Sequence, residues 1–352
     1  MKQLLNKWYY PNDIKTNNTG RNYFMDNLKF LLIILVVVGH FGLKLSYIPY
    51  IKYLTYYIYI FHMPCFIFTS GCFAKRMNNG GKLRVDKIMS IMFMYLLFKF
   101  ANVLLAYVFH ENISFNLFQD TSASWFLIAL CIWYLSVPML ERIKPGYLIT
   151  GSFIIGLLVG YIGSIKDVFS LSRVFVYFPF FIIGFCLPED KLRRFLDKRL
   201  RLFAFTLMIA ILMLVLYFGA DLKPVVNIIY AASPYSKSLG SMAAYGFLIR
   251  AVWYILATIL SMSLLLLIPR CQLFISKYGS RTMQIYMTHI WIRNVLLYVG
   301  FFSAIKKESN YMSYLVLFGS IFLTFLLANK YLERLYNFIM SLSLKMFQRV
   351  LK

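Results

Sequence analysis

Apolar runs of roughly 20 residues, the length an α-helix needs to cross a bilayer core, recur along this chain from residue 28 to residue 329. The polar breaks between them are too short to form separate soluble domains. Composition agrees with that reading: 61% of the residues are hydrophobic and 14% are charged, where a soluble globular chain averages about 25% charged. Such an excess of apolar surface needs lipid around it. The expected fold is an all-α integral membrane protein with a single membrane domain.

Windows bounded by Pro, Gly and charge give about ten transmembrane helices in one bundle, near 28–46, 53–73, 88–109, 124–140, 147–163, 172–188, 202–219, 245–268, 283–303 and 311–329. The fourth and fifth are short for a full crossing, and the segment from Lys223 to Leu239 could re-enter the membrane instead of looping outside it. Ten crossings put both termini on one side. With the N-terminus cytoplasmic, the inside segments hold 25 Lys and Arg and the outside segments eight, which the positive-inside rule reads as cytoplasmic termini in a cell (inner) membrane. The domain reading is a cytoplasmic leader at 1–27, a membrane domain at 28–329 and a basic amphipathic tail at 330–352. The tail and the stretch at 190–201 mix basic and apolar residues at helical spacing, as segments lying along the headgroup surface do.

The net charge of +24, from 37 Lys and Arg against 13 Asp and Glu, raises the question of nucleic acid. The basic residues fall in short clusters between apolar runs, the pattern of orientation signals and anionic-lipid contacts, so membrane lipids and no nucleic acid are the expected partners. Cys65, Cys72, Cys131, Cys186 and Cys271 lie in or beside apolar runs without CxxC or Cys/His metal spacing, and read as small buried side chains with no disulfide framework. The first apolar run follows a polar leader and lacks a small-residue cleavage site, so it is expected to be retained.

Ionisable side chains within a span cost about 2.5–3.5 kcal/mol on insertion scales, which makes each a functional candidate. Here they are Lys29, His40, His62, Lys99, Arg250, His289 and Arg293, with Asp26 and Arg173 at span entrances. Lys29 and His40 are eleven residues apart, a spacing that returns to nearly the same helix face about 16 Å further along the axis. They would mark the mouth and the middle of one cavity. Asp26 can pair with Lys29 across one turn, although the two also fit an interfacial anchor pair. His62 sits midway along the second window, two residues before Pro64, and antiparallel packing would bring it to the depth of His40. Two neutral imidazoles suit proton transfer near pH 7; three ligands placed for a metal are not evident, so no metal is expected.

At these residues the sequence resembles the membrane acyltransferase-3 family, most closely its fucose 4-O-acetylase-like branch. The resemblance starts at Arg21-Asn22-Tyr23-Phe24-Met25-Asp26-Asn27-Leu28-Lys29, runs through Val38-Gly39-His40, Phe61-His62-Met63-Pro64 and Ser70-Gly71, and covers most of the chain. Lys29 stands where many members carry Arg, which keeps the charge and loses the bidentate fork. Trp125-Phe126-Leu127, Ser172-Arg173 leading into Phe178-Pro179-Phe180-Phe181, and Ile285-Tyr286-Met287-Thr288-His289 look like further landmarks of the family in the same order. Trp125 also fits an interfacial belt, Arg173 a headgroup anchor and His289 a structural histidine.

The resemblance implies O-acyl transfer, usually of acetyl, from cytoplasmic acyl-CoA to a hydroxyl of a cell-envelope glycan or its lipid-linked precursor. Acetyl-CoA or another acyl-CoA would be a co-substrate, with no tightly bound cofactor. Lys29 and the basic loops, including Lys75 and Arg76, would attract the phosphates of coenzyme A. His40 would serve as general base or acyl carrier, with His62 sharing the proton and Asp26 beside them in the catalytic set. Trp125, Arg173, Tyr286 and His289 would meet the acceptor. Two rivals use the same residues differently: a transporter or flippase coupling transport to protons through the histidines, and a scaffold subunit of a polysaccharide-synthesis complex. The chain shows no appended esterase-like module, so the acceptor is expected to reach the membrane domain itself.

Overall fold

The computed structural model describes residues 22–79, 81–111, 123–163, 170–187, 192, 196–231 and 233–350. Most of the expected leader and part of the 190–201 stretch lie outside the described residues. Among the described residues the chain is built of α-helices, with one two-residue antiparallel ladder that pairs Asn78–Asn79 with Lys82–Leu83.

Helix α1 (Tyr23–Lys44) starts where Asn22 Oδ1 accepts the Met25 N–H at 3.3 Å, and Asp26 in its first turn suits the positive end of the helix dipole. A short turn leads to α2 (Pro49–Ala74), which opens on a proline whose missing N–H is no loss in a first turn and which continues through Pro64. These two helices form the centre of the bundle. Their apolar windows are 72% and 67% buried, against 28% for α3 (Val85–Val108). The end of the bundle at which α1 begins is called proximal below and the other end distal.

The remaining long elements are α4 (Trp125–Leu140), α5 (Pro145–Leu158), α6 (Leu171–Cys186) and α7 (Arg201–Tyr217). After the short α8 (Lys223–Ile229) and α9 (Tyr235–Leu239) come α10 (Gly246–Leu267), α11 (Thr282–Tyr298), α12 (Phe301–Glu308), α13 (Asn310–Leu327) and α14 (Lys330–Val350). Phe100, Leu104, Leu202, Phe203, Phe318 and Phe322 point outward from α3, α7 and α13. In water such an apolar perimeter would drive association; in hydrocarbon it meets its solvent.

Six helical segments are long and apolar enough to cross a membrane, and a seventh is formed if α11 and α12 are one span bent by 65°. The bend falls at Gly300, whose φ of +74° is a backbone state that glycine adopts without strain. Each of the ten apolar windows of the sequence is occupied by a helix, but α4, α6 and α5 with its extension to Tyr161 are shorter than a full crossing. The windows near 124–140 and 147–163 are thus as short as apolarity suggests, and the helix of the one near 172–188, 16 residues from Leu171 to Cys186, is short as well. The segment between Lys223 and Leu239 folds as α8 and α9 and carries Tyr230 into the interior cavity described below.

Helices α2 and α6 approach most closely through a reciprocal pair of glycines. A Cβ on Gly71 would lie 2.1 Å from the Phe181 carbonyl oxygen, and a Cβ on Gly184 would lie 2.1 Å from that of Phe68. With no hydrophobic force between helices in lipid, such backbone-to-backbone packing is what holds them.

Helix α14 is tied to the proximal end by polar contacts. Arg281 Nε pairs with Glu333 at 2.8 Å and Gln348 Nε2 donates to Asp86 at 3.0 Å, while just before α14 Gln284 Nε2 donates to the carbonyls of Leu327 and Asn329. Its outward side carries an apolar stripe of Tyr331, Leu335, Phe338 and Leu342 next to a polar stripe of Arg334, Asn337, Ser341 and Lys345. Residues spaced three and four apart along a helix form such stripes.

Candidate functional site

The residues singled out in the sequence gather in two places. At the proximal end Lys29 Nζ pairs with Asp26 Oδ1 at 3.1 Å and lies 5.7 Å from the centroid of the Phe73 ring, which also receives Arg76 at 5.1 Å. Lys75 sits 5.6 Å over the neighbouring Phe185 ring. The sharp approach of α1 to the loop before α11 explains the Asn22–Lys29 segment. Asn27 Nδ2 donates to the carbonyls of Pro269 and Cys271, both at 3.0 Å, while its Oδ1 accepts from Ser276 Oγ at 2.6 Å. That clamp sets Asp26 and Lys29 on the fixed first two turns of α1. The result is a cluster of three cations seated on aromatic faces, an arrangement that attracts phosphate.

The second place is a cavity of about 210 Å³ in the distal half of the bundle. His40, His62, Trp125, Arg173 and Tyr286 line it, as do Tyr59, Tyr177, Tyr230 and Arg293. Asp26, expected in the catalytic set, stays at the proximal end with Lys29, and neither lines the cavity. His289 is fully buried directly behind His40.

Hydrogen bonding defines which histidine atom can act. His289 Nδ1 lies 2.7 Å from the Ile285 carbonyl oxygen, which only accepts, so Nδ1 carries the proton and Nε2 of the neutral ring is an acceptor. His40 Nδ1, 2.8 Å from that Nε2, therefore donates to it. His40 Nε2 is left with a lone pair. A backbone carbonyl, one imidazole and a second imidazole thus fix the tautomer of His40 in series, in the way that a carboxylate orients a histidine elsewhere. His62 is held similarly, with Nδ1 donating to the Ile58 carbonyl at 2.8 Å, so its Nε2 is also an acceptor. The Tyr59 ring packs edge-on against it at 4.7 Å.

Aromatic rings shape the rest of the wall. Trp125 stacks on Tyr177 at 5.2 Å and carries the Arg173 guanidinium 5.5 Å from its centroid. Arg173 Nε donates to the Tyr230 carbonyl at 3.3 Å, Tyr177 to Ile229 at 2.9 Å, and the Tyr286 hydroxyl to the Ala123 carbonyl. The short helices α4 and α6 begin at this wall, which is why Trp125 and Arg173 reach it from near their helix starts. Among the described residues no group of three or more His, Cys, Asp and Glu is placed to hold a metal ion. Cys65, Cys131, Cys186 and Cys271 are free thiols.

His40 and His62, singled out in the sequence, line this cavity; Tyr59, Tyr177 and Tyr230, which line it too, sit among 27 tyrosines with no spacing to mark them. Arg293 was visible as an intramembrane charge without a role. Tyr286, His289 and Arg293 follow a three-then-four spacing that places them on one face of α11.

The acceptor role of His289 Nε2 has a direct test. His289→Leu is expected to lower any turnover that depends on His40 by about ten- to a hundredfold, less than the hundred- to ten-thousandfold that a proton-transfer group itself supplies, because His289 acts through His40. His289→Gln, whose amide oxygen can accept the His40 N–H, is expected to recover part of that loss. Equal activity of the leucine variant and wild type in a steady-state assay would remove His289 from the series.

A family model described as an acyltransferase domain, Acyl_transf_3, matches residues 22–329. No curated protein and no solved structure matches the chain.

Proposed function

The chain belongs to the acyltransferase family described by that domain, and on this premise we propose that it is a membrane O-acetyltransferase, moving acetyl from cytoplasmic acetyl-CoA to a hydroxyl of a cell-envelope glycan or its lipid-linked precursor. The observation that carries the reading is the free lone pair of His40 Nε2, fixed by His289 and open to a cavity walled by tyrosine, tryptophan and arginine. Stacked aromatic rings suit a sugar face, and cations suit the charges that accompany envelope glycans.

In this reaction an acceptor hydroxyl gives its proton to His40 Nε2 as its oxygen attacks the thioester carbonyl. A C–O bond forms, the C–S bond breaks, and the coenzyme A thiolate leaves with the proton held by His40. His289 keeps the imidazole in the right tautomer and takes up part of the transient positive charge through the Nδ1–H bond. His62, with its own Nε2 acceptor, can hold the hydroxyl proton in the ground state. Lys29, Lys75 and Arg76 bind the phosphates of the donor, and Asp26 orients Lys29. The roughly 16 Å between Lys29 and His40 along α1 is a span that a pantetheine arm can bridge. No metal or tightly bound cofactor takes part in this scheme.

The same reading assigns ten crossings, with α4, α5 and α6 as short spans and both termini cytoplasmic in an inner membrane, since the basic residues favour that side 25 to eight. It lays the α14 stripe of Tyr331, Leu335, Phe338 and Leu342 into the cytoplasmic headgroup layer. One experiment tests reaction and orientation together. Inside-out membrane vesicles containing the protein and envelope glycan should consume acetyl-CoA and yield glycan heavier by one acetyl group, whereas sealed right-side-out vesicles should not. An intact thioester in both preparations would favour a transporter of the same fold and sink the proposal.

A further inference from the structure

Arg293 lies one helical turn beyond His289 on α11 and lines the same cavity as His40. Its Nε and Nη2 both donate to Asn294 Oδ1, at 3.3 and 2.7 Å. Asn294 Nδ2 donates to Asn102 Oδ1 on α3 at 3.0 Å, and Asn102 Nδ2 donates to the Phe98 carbonyl at 2.9 Å. Three polar side chains in a row therefore cross from α11 to α3 within the span region, and the guanidinium is the charged one. Among the described residues no carboxylate pairs with Arg293 and no Asp or Glu lines the cavity.

Among the described residues this cation is held by a neutral amide with no counter-charge, and the cost of burying it falls when an anion arrives. The Asn294 oxygen occupies the Nε edge of the fork, which leaves the Nη1 side for a ligand. Arginine presents paired N–H donors to carboxylate and phosphate oxygens, and the second cation of the wall, Arg173, is held over Trp125.

We infer that Arg293 is an anion-recognition residue of the acceptor subsite, and that the acceptor carries a carboxylate or phosphate oxyanion close to the hydroxyl that is acylated. Asn294 and Asn102 are positioning residues that aim the guanidinium. The inference rests on the acyl-transfer reading for the identity of the acceptor, but the anion site itself does not.

The test uses the full-length protein in nanodiscs with three probes of equal chain length: octyl glucoside, octyl glucuronide and octyl glucoside 6-phosphate. Binding is read from thermal stabilisation and transfer from acetyl-CoA consumption. One or both acidic probes should bind about tenfold or more tighter than the neutral one, the scale of one charged hydrogen bond; whichever does so identifies a carboxylate or a phosphate. Arg293→Gln should erase that preference through KM, with a loss for the acidic probe about tenfold or more beyond any loss for the neutral one, Arg293→Lys should retain part of it, and Asn102→Leu should weaken it with Arg293 still present. Equal binding of all three probes by the wild type, or equal loss for neutral and acidic probes in Arg293→Gln, would overturn the inference, the latter marking a role in folding or in stabilising the reacting carbonyl. Arg293-dependent binding of an acidic probe without consumption of acetyl-CoA by any probe would uphold the anion site and remove the acyl-transfer reading.

Discussion

Replacing His40 with alanine is expected to abolish acyl transfer, with a fall in kcat of about a hundred- to ten-thousandfold for loss of the positioned base, while the protein still inserts and folds. The expectation follows from the hydrogen-bond series: Ile285 carbonyl, His289 and His40 leave a lone pair at His40 Nε2 on the cavity side. Alanine also strands His289 Nε2 without its donor, which costs stability. His40→Asn separates the two effects, because its amide N–H can replace the bond to His289 yet offers no base. Both variants should be equally inactive in an acetyl-CoA consumption assay, and the asparagine variant should unfold at a temperature closer to wild type. Full turnover in either would remove His40 from the chemistry.

The largest structural effect is expected at the α2–α6 contact. Gly71→Val puts a branched side chain where even a Cβ would sit 2.1 Å from the Phe181 carbonyl oxygen, an atom of the helix backbone that cannot rotate away. The helices must separate, at a cost of about 1–3 kcal/mol or more for overpacking. Gly184→Val should act alike, since its Cβ would meet the Phe68 carbonyl. Because α2 carries His62 and α6 carries Arg173, separation also opens the cavity wall. The control is Gly151→Ala on α5, where a Cβ meets nothing within 4 Å and helix propensity favours alanine by about 0.5–1 kcal/mol. Thermal unfolding in detergent reads all three, and a Gly71→Val protein as stable as wild type would show that the two helices can part without penalty.

How much of this was legible beforehand follows from the range of the interactions. The ten helical windows come from one local rule, apolarity over a bilayer length, so residues 28–329 show them at once. The common face of Lys29 and His40 is equally local, fixed by the helical repeat, and both lie where that repeat puts them on α1. The partner of His40 is different. His289 is 249 residues away, and nothing in either segment states that α1 and α11 would meet at that depth. Asp26 shows the reach of a local rule: its three-residue spacing puts it against Lys29 at the proximal end, and no local spacing relates it to the two histidines of the cavity. Tyr230 escaped because it closes a short helix in a segment of mixed polarity, where burial is decided by the fold and not by composition.

The separation of the proximal cation cluster from the cavity bears on energy conservation by the cell. On the turns of α1 between Lys29 and His40, Phe30, Leu32, Ile33 and Val37 are fully buried, and the cavity ends without reaching the cluster. A continuous file of water touching two imidazoles would conduct protons and short-circuit the gradient across the membrane. Apolar packing of this kind resists wetting. In the proposed reaction the pantetheine arm alone would thread it, and the packing would act as electrical insulation, so that chemistry linking the two sides of a membrane need not discharge it.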